Sequence, residues 1–357
     1  MPYCWKCGAE LDEDAKFCPT CGTSVAPPVT EPMKRRIERE KRRPISTLAI
    51  VLIVILVFAA AAVVLAFLPV RAVDVSESRE VLFQTDVDTV NLDFTADVAR
   101  VNVAFENLTD KLLTLKVSAT GRVGLFISPP QPEELFDLTF DDTIVDNVLT
   151  VTSEVDTFGD GLPRPWLSWL HVTCDIRIDP SMNASLDVRT STGGIVMDAQ
   201  ASVVLNSLRL EATTGGVEAN LVEDVVVAGD VSVKATTGGV EFSWNNVVVT
   251  DDVLVNLETT TGGVDVDVRQ DERLLGNVII EAEVATGGVD FAIDIRGDVG
   301  AKIESSVTTG GINIDRQVGF SGTESLLQSD NYPDSSNFNV SLKTVTGSID
   351  IDAKYTP

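Results

Sequence analysis

Four cysteines near the start of the chain have a spacing that suits one metal ion. Cys4 and Cys7, then Cys18 and Cys21, form two C-x2-C pairs separated by ten residues. Two residues between thiolates let both sulfurs of one turn reach a single tetrahedral ion. The glycines that follow, Gly8 and Gly22, allow the tight backbone such a knuckle needs. A pair of disulfides would require an oxidising compartment, and the topology read below puts these residues on the reducing side of a membrane. Four protein ligands leave no coordination position for a substrate, so Zn2+ is expected here in a structural role. In so small a module, metal binding supplies folding energy on the order of 10–16 kcal/mol.

The remaining chemistry is mostly acidic. Residues 69–357 hold forty-seven of the chain's 54 acids and eighteen of its 27 bases, a net charge of −29. Such a surface repels nucleic acid and anionic lipid and favours cations or basic partners. Salt adaptation produces the same composition. The single histidine, His171, lies three residues from Cys174, the one cysteine of this part. On a strand, a separation of three puts them on opposite faces, so they make no catalytic dyad. Cys174 reads as a buried apolar residue. Trp166 and Trp169 read as a plug for one end of a core. No catalytic constellation is present, and the chain is not expected to be an enzyme.

Between the two regions runs Ile45–Leu68, "ISTLAIVLIVILVFAAAAVVLAFL", without one charge. Twenty-four residues make about 36 Å of helix, more than the ~30 Å hydrocarbon core of a bilayer. The preceding run Lys34–Arg43, "KRRIEREKRR", is strongly basic. The positive-inside rule therefore predicts a single-pass protein of the cell membrane, N-terminus cytoplasmic and C-terminal domain extracellular.

The C-terminal part repeats a short phrase. Thr-Gly-Gly recurs at Gly193–Gly194, Gly215–Gly216, Gly238–Gly239, Gly262–Gly263, Gly287–Gly288 and Gly310–Gly311, with a degenerate copy, "VTGSIDID", at Thr346. Aliphatic residues alternate with polar ones on both sides, at even positions before the glycine pair and odd positions after it. A straight strand cannot change parity, so the pair is expected to form a bulge or corner. A phosphate loop is excluded, because no Lys-Ser/Thr follows and the next residues alternate as a strand. Repeats of 22–25 residues with no helical period predict a right-handed parallel β-solenoid.

With the threonine before each glycine pair as the reference, four residues past it stand Glu218, Glu241, Asp265 and Asp290. In register they would stack about 4.8 Å apart, repelling by ~0.9 kcal/mol per pair in water. A solvated acidic face is the plain reading, and Ca2+ bridging the carboxylates is the functional one.

The cysteine pairs resemble the short zinc-ribbon domains at the N-termini of many archaeal and bacterial membrane proteins. From "CDIRIDPSMNASLDVRTSTGGIVMD", Cys174–Asp198, to "TGSIDID", the chain resembles the putative-adhesin or "toast-rack" β-solenoid domains of bacterial and archaeal envelope proteins. The first resemblance implies binding of a protein or nucleic acid, and the acids of Glu10–Ala15 speak against nucleic acid. The second implies an envelope scaffold or interaction module, sometimes coupled to stress-sensing membrane proteins. The combination suggests an archaeal source.

The expected organisation is mainly β: zinc ribbon 1–24, linker 25–44 (Pro-rich, then basic), transmembrane helix 45–68, short stalk 69–84, cap strands 85–180 and solenoid 181–357. The expected function is a membrane-anchored, non-catalytic, adhesin-like scaffold acting through protein contacts or self-association of its solenoid. The alternative is an envelope-stress sensor or regulator whose ribbon contacts a cytoplasmic partner.

Overall fold

The computed structural model describes residues 2–25, 47–67, 69–124, 131–157, 170–200, 202–334 and 336–357. They divide into two compact units, Met1–Phe58 and Ala59–Pro357. The linker 25–44 falls almost wholly outside the described residues, as do Trp166 and Trp169.

In the first unit the two knuckles share one construction. Isolated antiparallel bridges, Tyr3 to Glu10 and Phe17 to Ser24, flank the cysteine pairs. Helix α1 covers Thr47–Phe67 and contains no charged residue. Its side chains are described for residues 50–61 alone. Among the described residues no helix is long and apolar enough to cross a membrane.

The second unit opens with strands β1 (Pro69–Leu82), β2 (Thr89–Val98), β3 (Arg100–Phe105) and β4 (Lys111–Gly124). A single turn of helix, α2 (Pro132–Leu135), leads into β5 (Phe136–Val145) and β6 (Val148–Thr157). Then come β7 (Leu170–Ile178), β8 (Asn183–Thr192) and β9 (Ile195–Gln200). The repeats supply β10 (Val204–Thr214), β11 (Val217–Val222), β12 (Val226–Val227), β13 (Val231–Thr237), β14 (Val240–Asn245) and β15 (Val248–Val249). They continue with β16 (Val253–Thr261), β17 (Val264–Gln270), β18 (Val278–Thr286) and β19 (Val289–Arg296). The chain finishes with β20 (Val299–Val318), β21 (Phe320–Thr323), β22 (Leu326–Ser329) and β23 (Ser336–Thr356).

Strands that precede the corner, which is a glycine pair in most rungs, stack in parallel in the order β6, β2, β8, β10, β13, β16, β18, β23, β20. Strands that follow it stack as β7, β3, β9, β11, β14, β17, β19, β23, β20. β20 and β23 run through the corner and belong to both stacks. Alternate side chains fill the space between: Val231, Val233, Val240, Phe242 and Trp244 in one coil, Val255, Leu257, Val264, Val266 and Val268 in the next, all buried. The indole of Trp244 donates to Gln270 Oε1 at 3.1 Å, so the largest core side chain keeps its polar atom satisfied.

One feature differs from the expectations, and two more mark the C-terminal end. The segment 69–84, expected as a stalk, contains β1, paired antiparallel with β4. Its alternation buries Val73 and Val81 in the core. After β20 the chain turns into the hairpin β21–β22, held by buried Phe320 and Leu327. The last two rungs also depart from chain order, because β23 lies between β18–β19 and β20. The packing accounts for this. β23 brings Phe338, Val340, Leu342, Ile349, Ile351 and Ala353 to the inside, all buried, whereas β20 brings Ser305 at one of these positions. Placing β23 inside buries the more apolar rung on both edges.

The same exchange occurs at the other end, where the rung of β2 and β3 lies between β8–β9 and β6–β7. Antiparallel strands then close the stacks: β5 on β6, β4 on β7, and β22 on the first part of β20.

Candidate metal centre and the charged columns of the solenoid

The metal centre is built by two matching turns. The amide of Gly8 donates to the Cys4 carbonyl at 2.9 Å, and that of Gly22 to the Cys18 carbonyl at 2.8 Å. The amide of Cys4 reaches the Ala9 carbonyl and that of Cys18 the Thr23 carbonyl, each at 2.8 Å. Gly8 and Gly22 sit at φ +73° and +66°, the left-handed conformation the closing turn requires. Each turn thus carries one buried sulfur, Cys4 or Cys18, and one exposed sulfur, Cys7 or Cys21. Across the turns Cys4 lies 3.6 Å from Cys21, and Cys7 lies 3.6 Å from Cys18.

All four ligand atoms fall within 4.8 Å of one another. The Thr23 hydroxyl and amide lower the Cys21 thiol to about 6. Cys7 is pushed up to about 12 although the Ala9 amide pulls it down, because the sulfur of Cys21, burial, and then Cys4 and Cys18 act the other way. One thiol that readily gives up its proton, beside another that holds it, is what a crowded thiol quartet does. A divalent ion that replaces the shared protons relieves it, and binding therefore releases protons. The donor set fits Zn2+ in a closed tetrahedral site, which supplies folding energy and no open position for chemistry.

On the solenoid the glycine pairs are the corners between the two stacks. The first glycine of each pair, Gly193, Gly215, Gly238, Gly262, Gly287 and Gly310, has φ between +134° and +147°. A Cβ built on Gly238 would overlap the carbonyl of Gly215, the corner of the preceding coil. The second glycines are roomier. A Cβ on Gly194 would come 3.1 Å from the Gly216 carbonyl, and one on Gly311 would meet nothing within 4 Å. Sequence reasoning missed a second corner device. Thr259 donates to the Gly238 carbonyl at 2.9 Å, Thr344 to the Gly287 carbonyl at 3.1 Å and Thr190 to the Ala99 carbonyl at 3.2 Å. Each hydroxyl satisfies the corner carbonyl of the neighbouring coil. The only sequence signal was an inward-facing threonine where other repeats carry alanine or valine.

Past the corner, Glu218, Glu241, Asp265 and Asp290 stack in register and continue into Asp350 and then Asn313. Among the described residues Glu241, Asp265 and Asp290 have no hydrogen-bond or ion-pair partner. The ends of the column do: Asn220 donates to Glu218 at 2.9 Å, and Ser348 to Asp350 at 3.1 Å. The carboxyl of Asp290 is raised by burial, then by the charges of Asp350, Asp265 and Asp315. Its carboxylates form a line and do not converge. Among the described residues, the cysteine quartet is the one group of three or more such ligands gathered within metal-binding distance. The Ca2+ reading therefore lacks a built site.

Before the corner the exposed column alternates in sign for most of its length: Arg189, Glu211, Lys234, Glu258, Glu283, Lys343. Lys234 pairs with Glu258 at 2.8 Å and Lys343 with Glu283 at 2.7 Å. His171 and Cys174 fall on opposite faces of β7. The His171 side chain is exposed and that of Cys174 fully buried, with burial pushing its thiol up to about 12.

Residues 3–25 match the zinc-ribbon domain family, a span that takes in all four cysteines. No curated protein sequence matches the chain. Among solved structures, a putative cell adhesion protein from Clostridium sporogenes is similar at 15% identity and a TM-score of 0.37. That likeness covers 79% of this chain and 100% of the other. A putative adhesin from Bacteroides fragilis is similar at 13% identity and a TM-score of 0.33, covering 78% and 96%. Scores of this size carry no argument for function, which must come from the chain's own residues.

Proposed function

We propose that the chain is a membrane-anchored, non-catalytic scaffold whose acidic solenoid binds other proteins outside the cell and whose zinc ribbon lies in the cytoplasm. The observation that carries this reading is the in-register stack itself. Six consecutive rungs carry a charged column before the corner and five carry one after it, and the one histidine and one cysteine of this unit point to opposite sides of their strand. Membrane insertion is supported by the chargeless sequence of α1 and by the basic run Lys34–Arg43 before it.

A second reading, a transmembrane regulator, draws support from the ribbon surface. Tyr3, Trp5 and Phe17 are all exposed around the metal centre, as aromatic anchors for a cytoplasmic partner would be.

Crosslinking in intact cells, followed by identification of partners on each side of the membrane, separates the two. Envelope proteins on the solenoid and none on the ribbon would make it a scaffold. A cytoplasmic partner lost on Cys18→Ser substitution would make it a regulator. Protease added to intact cells is expected to cut the solenoid and spare the ribbon, and the reverse result would overturn the topology.

A further inference from the structure

The two stacks have four ends, and antiparallel strands close three of them. β5 covers β6, β4 covers β7, and β22 covers β20 at Lys302–Glu304, with Ser305 bonded to Ser325. The fourth end is the later part of β20, which pairs with β23 on one edge and with no described residue on the other. There Ile312 and Ile314 face inward yet remain half-buried, while their neighbours Ile349 and Ile351 are fully buried.

This edge is one half of an interface the molecule builds repeatedly. In each coil the first glycine donates its amide to the reference threonine of the next: Gly193 to Thr214, Gly215 to Thr237, Gly238 to Thr261, Gly262 to Thr286 and Gly287 to Thr346, at 2.7–3.0 Å. Two residues on, Ile195, Val217, Val240 and Val264 donate to the second glycine of the next coil at 2.9–3.0 Å. Gly310 and Ile312 hold these two positions in β20, and among the described residues no rung follows. Their amides face outward, as does the carbonyl of Gly310.

We infer that the edge Gly310–Ile314 receives an extended segment of a partner protein, added in parallel as a further rung: a glycine followed by alternating aliphatic and basic residues. This rests on the reading of the solenoid as an interaction module and adds where the partner binds and what it carries. The glycine is required because at every interior corner a Cβ would overlap the previous corner's carbonyl. The aliphatic residues would cover Ile312 and Ile314. The basic residues would extend the column that runs Glu218, Glu241, Asp265, Asp290, Asp350, Asn313, with one beside Asn313 and the carboxylate of Asp350 one rung further in. The register shift between Ile314 and Arg316 interrupts the regular alternation of β20 there, so the regular stretch of this edge is short. A second copy is a poor occupant. Its opposite end is closed by β4 and β5, and edge-to-edge pairing would join two solenoids of net charge −29.

The test uses the full chain in detergent and a fluorescent peptide, Thr-Gly-Gly-Val-Lys-Val-Lys-Val, followed by anisotropy. Saturable binding is expected, weakened at least about tenfold when the first glycine of the peptide is alanine or its lysines are glutamate. Ile312→Pro removes one outward amide and is expected to abolish binding. N-methylation of the peptide's first lysine amide does the same without touching the protein. No saturable binding, or binding indifferent to the alanine and N-methyl changes, overturns the inference. So does a dimer by light scattering that Ile312→Pro dissociates, which would assign the edge to a second copy. If the peptide fails while crosslinks in cells still map to the solenoid, the edge is refuted and the scaffold reading stands.

Discussion

The two faces of the solenoid are made by the same coils, joined at the same corners and stacked in the same register, yet their charges obey opposite rules. Before the corner the column reads Arg189, Glu211, Lys234, Glu258, Glu283, Lys343, with ion pairs between neighbouring rungs. After the corner it reads Glu218, Glu241, Asp265, Asp290, Asp350, like charges one strand spacing apart. Cross-strand pairs of opposite sign stabilise a sheet by a few tenths to about 1 kcal/mol, and like pairs cost a similar amount. One face therefore helps to hold the stack together and the other works against it. The backbone and core carry the second face against its own charge. A repelling column that the stack tolerates leaves a face with unmet demand for positive charge, which is what a binding surface needs.

The comparison breaks if the corner fails, since both faces hang on it. Gly238→Ala puts a Cβ at φ +143° against the Gly215 carbonyl. Strained backbone and a backbone clash together are expected to cost about 3 kcal/mol or more. Thermal unfolding followed by circular dichroism should register this as a large drop in Tm. Gly311→Ala, where a Cβ meets nothing within 4 Å, is expected to stay within about 0.5 kcal/mol of the parent. Equal effects at the two sites would mean that the stacked corner is not what fixes the coil.

Charge reversal sharpens the contrast, because the same kind of change should act with opposite sign on the two faces. Lys234→Glu removes the 2.8 Å pair with Glu258 and sets four carboxylates in a row from Glu211 to Glu283, at an expected cost of about 1 kcal/mol. Glu241→Lys places a cation between Glu218 and Asp265 and is expected to stabilise by up to about 1 kcal/mol. Both effects should shrink at high salt, since these side chains face solvent. If both substitutions destabilise, the difference between the faces is one of packing and not of charge.

How much of this could be read from the sequence depends on the range of the interaction. The cysteine quartet was legible because two residues between thiolates already place both sulfurs on one turn. The corners were legible because a change of parity between, for example, Val233 and Val240 cannot occur in a straight strand. The register of Glu218, Glu241, Asp265 and Asp290 followed from the period. The order of the last rungs did not, because β20 and β23 carry the same phrase in the same phase. Only the comparison of Ser305 with Leu342, and of the half-buried Ile312 with the buried Ile349, decides which rung lies inside. The 69–84 segment misled for a related reason. Its partner β4 lies some forty residues away in sequence, and no local pattern announces a pairing of that range. The corner threonines were invisible because a hydroxyl on the inside looks like an interruption of the apolar pattern until the carbonyl it serves is in place.

The finest test sets the two faces against each other in pH. Glu258 is held below the ordinary carboxylate range by the hydrogen bond from Lys234, with Asn256 helping against the cost of burial. Its contribution is present above the unfolded-chain pKa of a glutamate and is lost as pH falls through the lower folded value. Asp290 is raised by burial and by Asp350, Asp265 and Asp315, so the folded chain holds that proton more tightly than the unfolded chain. Its contribution is present at low pH and is lost as pH rises from the unfolded-chain value through the raised one. At neutral pH, Glu258→Gln should therefore lower Tm and Asp290→Asn should raise it. On acidification the Asp290→Asn gain should shrink as the pH falls through the raised folded value towards that of a free aspartate. The Glu258→Gln deficit should persist until the pH passes below the depressed value. Both groups keep partial solvent contact, so each shift in Tm should be small, a few degrees at most for a chain of this size at ~1 kcal/mol or less. Differences of the same sign, or differences that do not change with pH, would show that the columns are electrostatically alike. The acid column would then have no special claim on a basic partner.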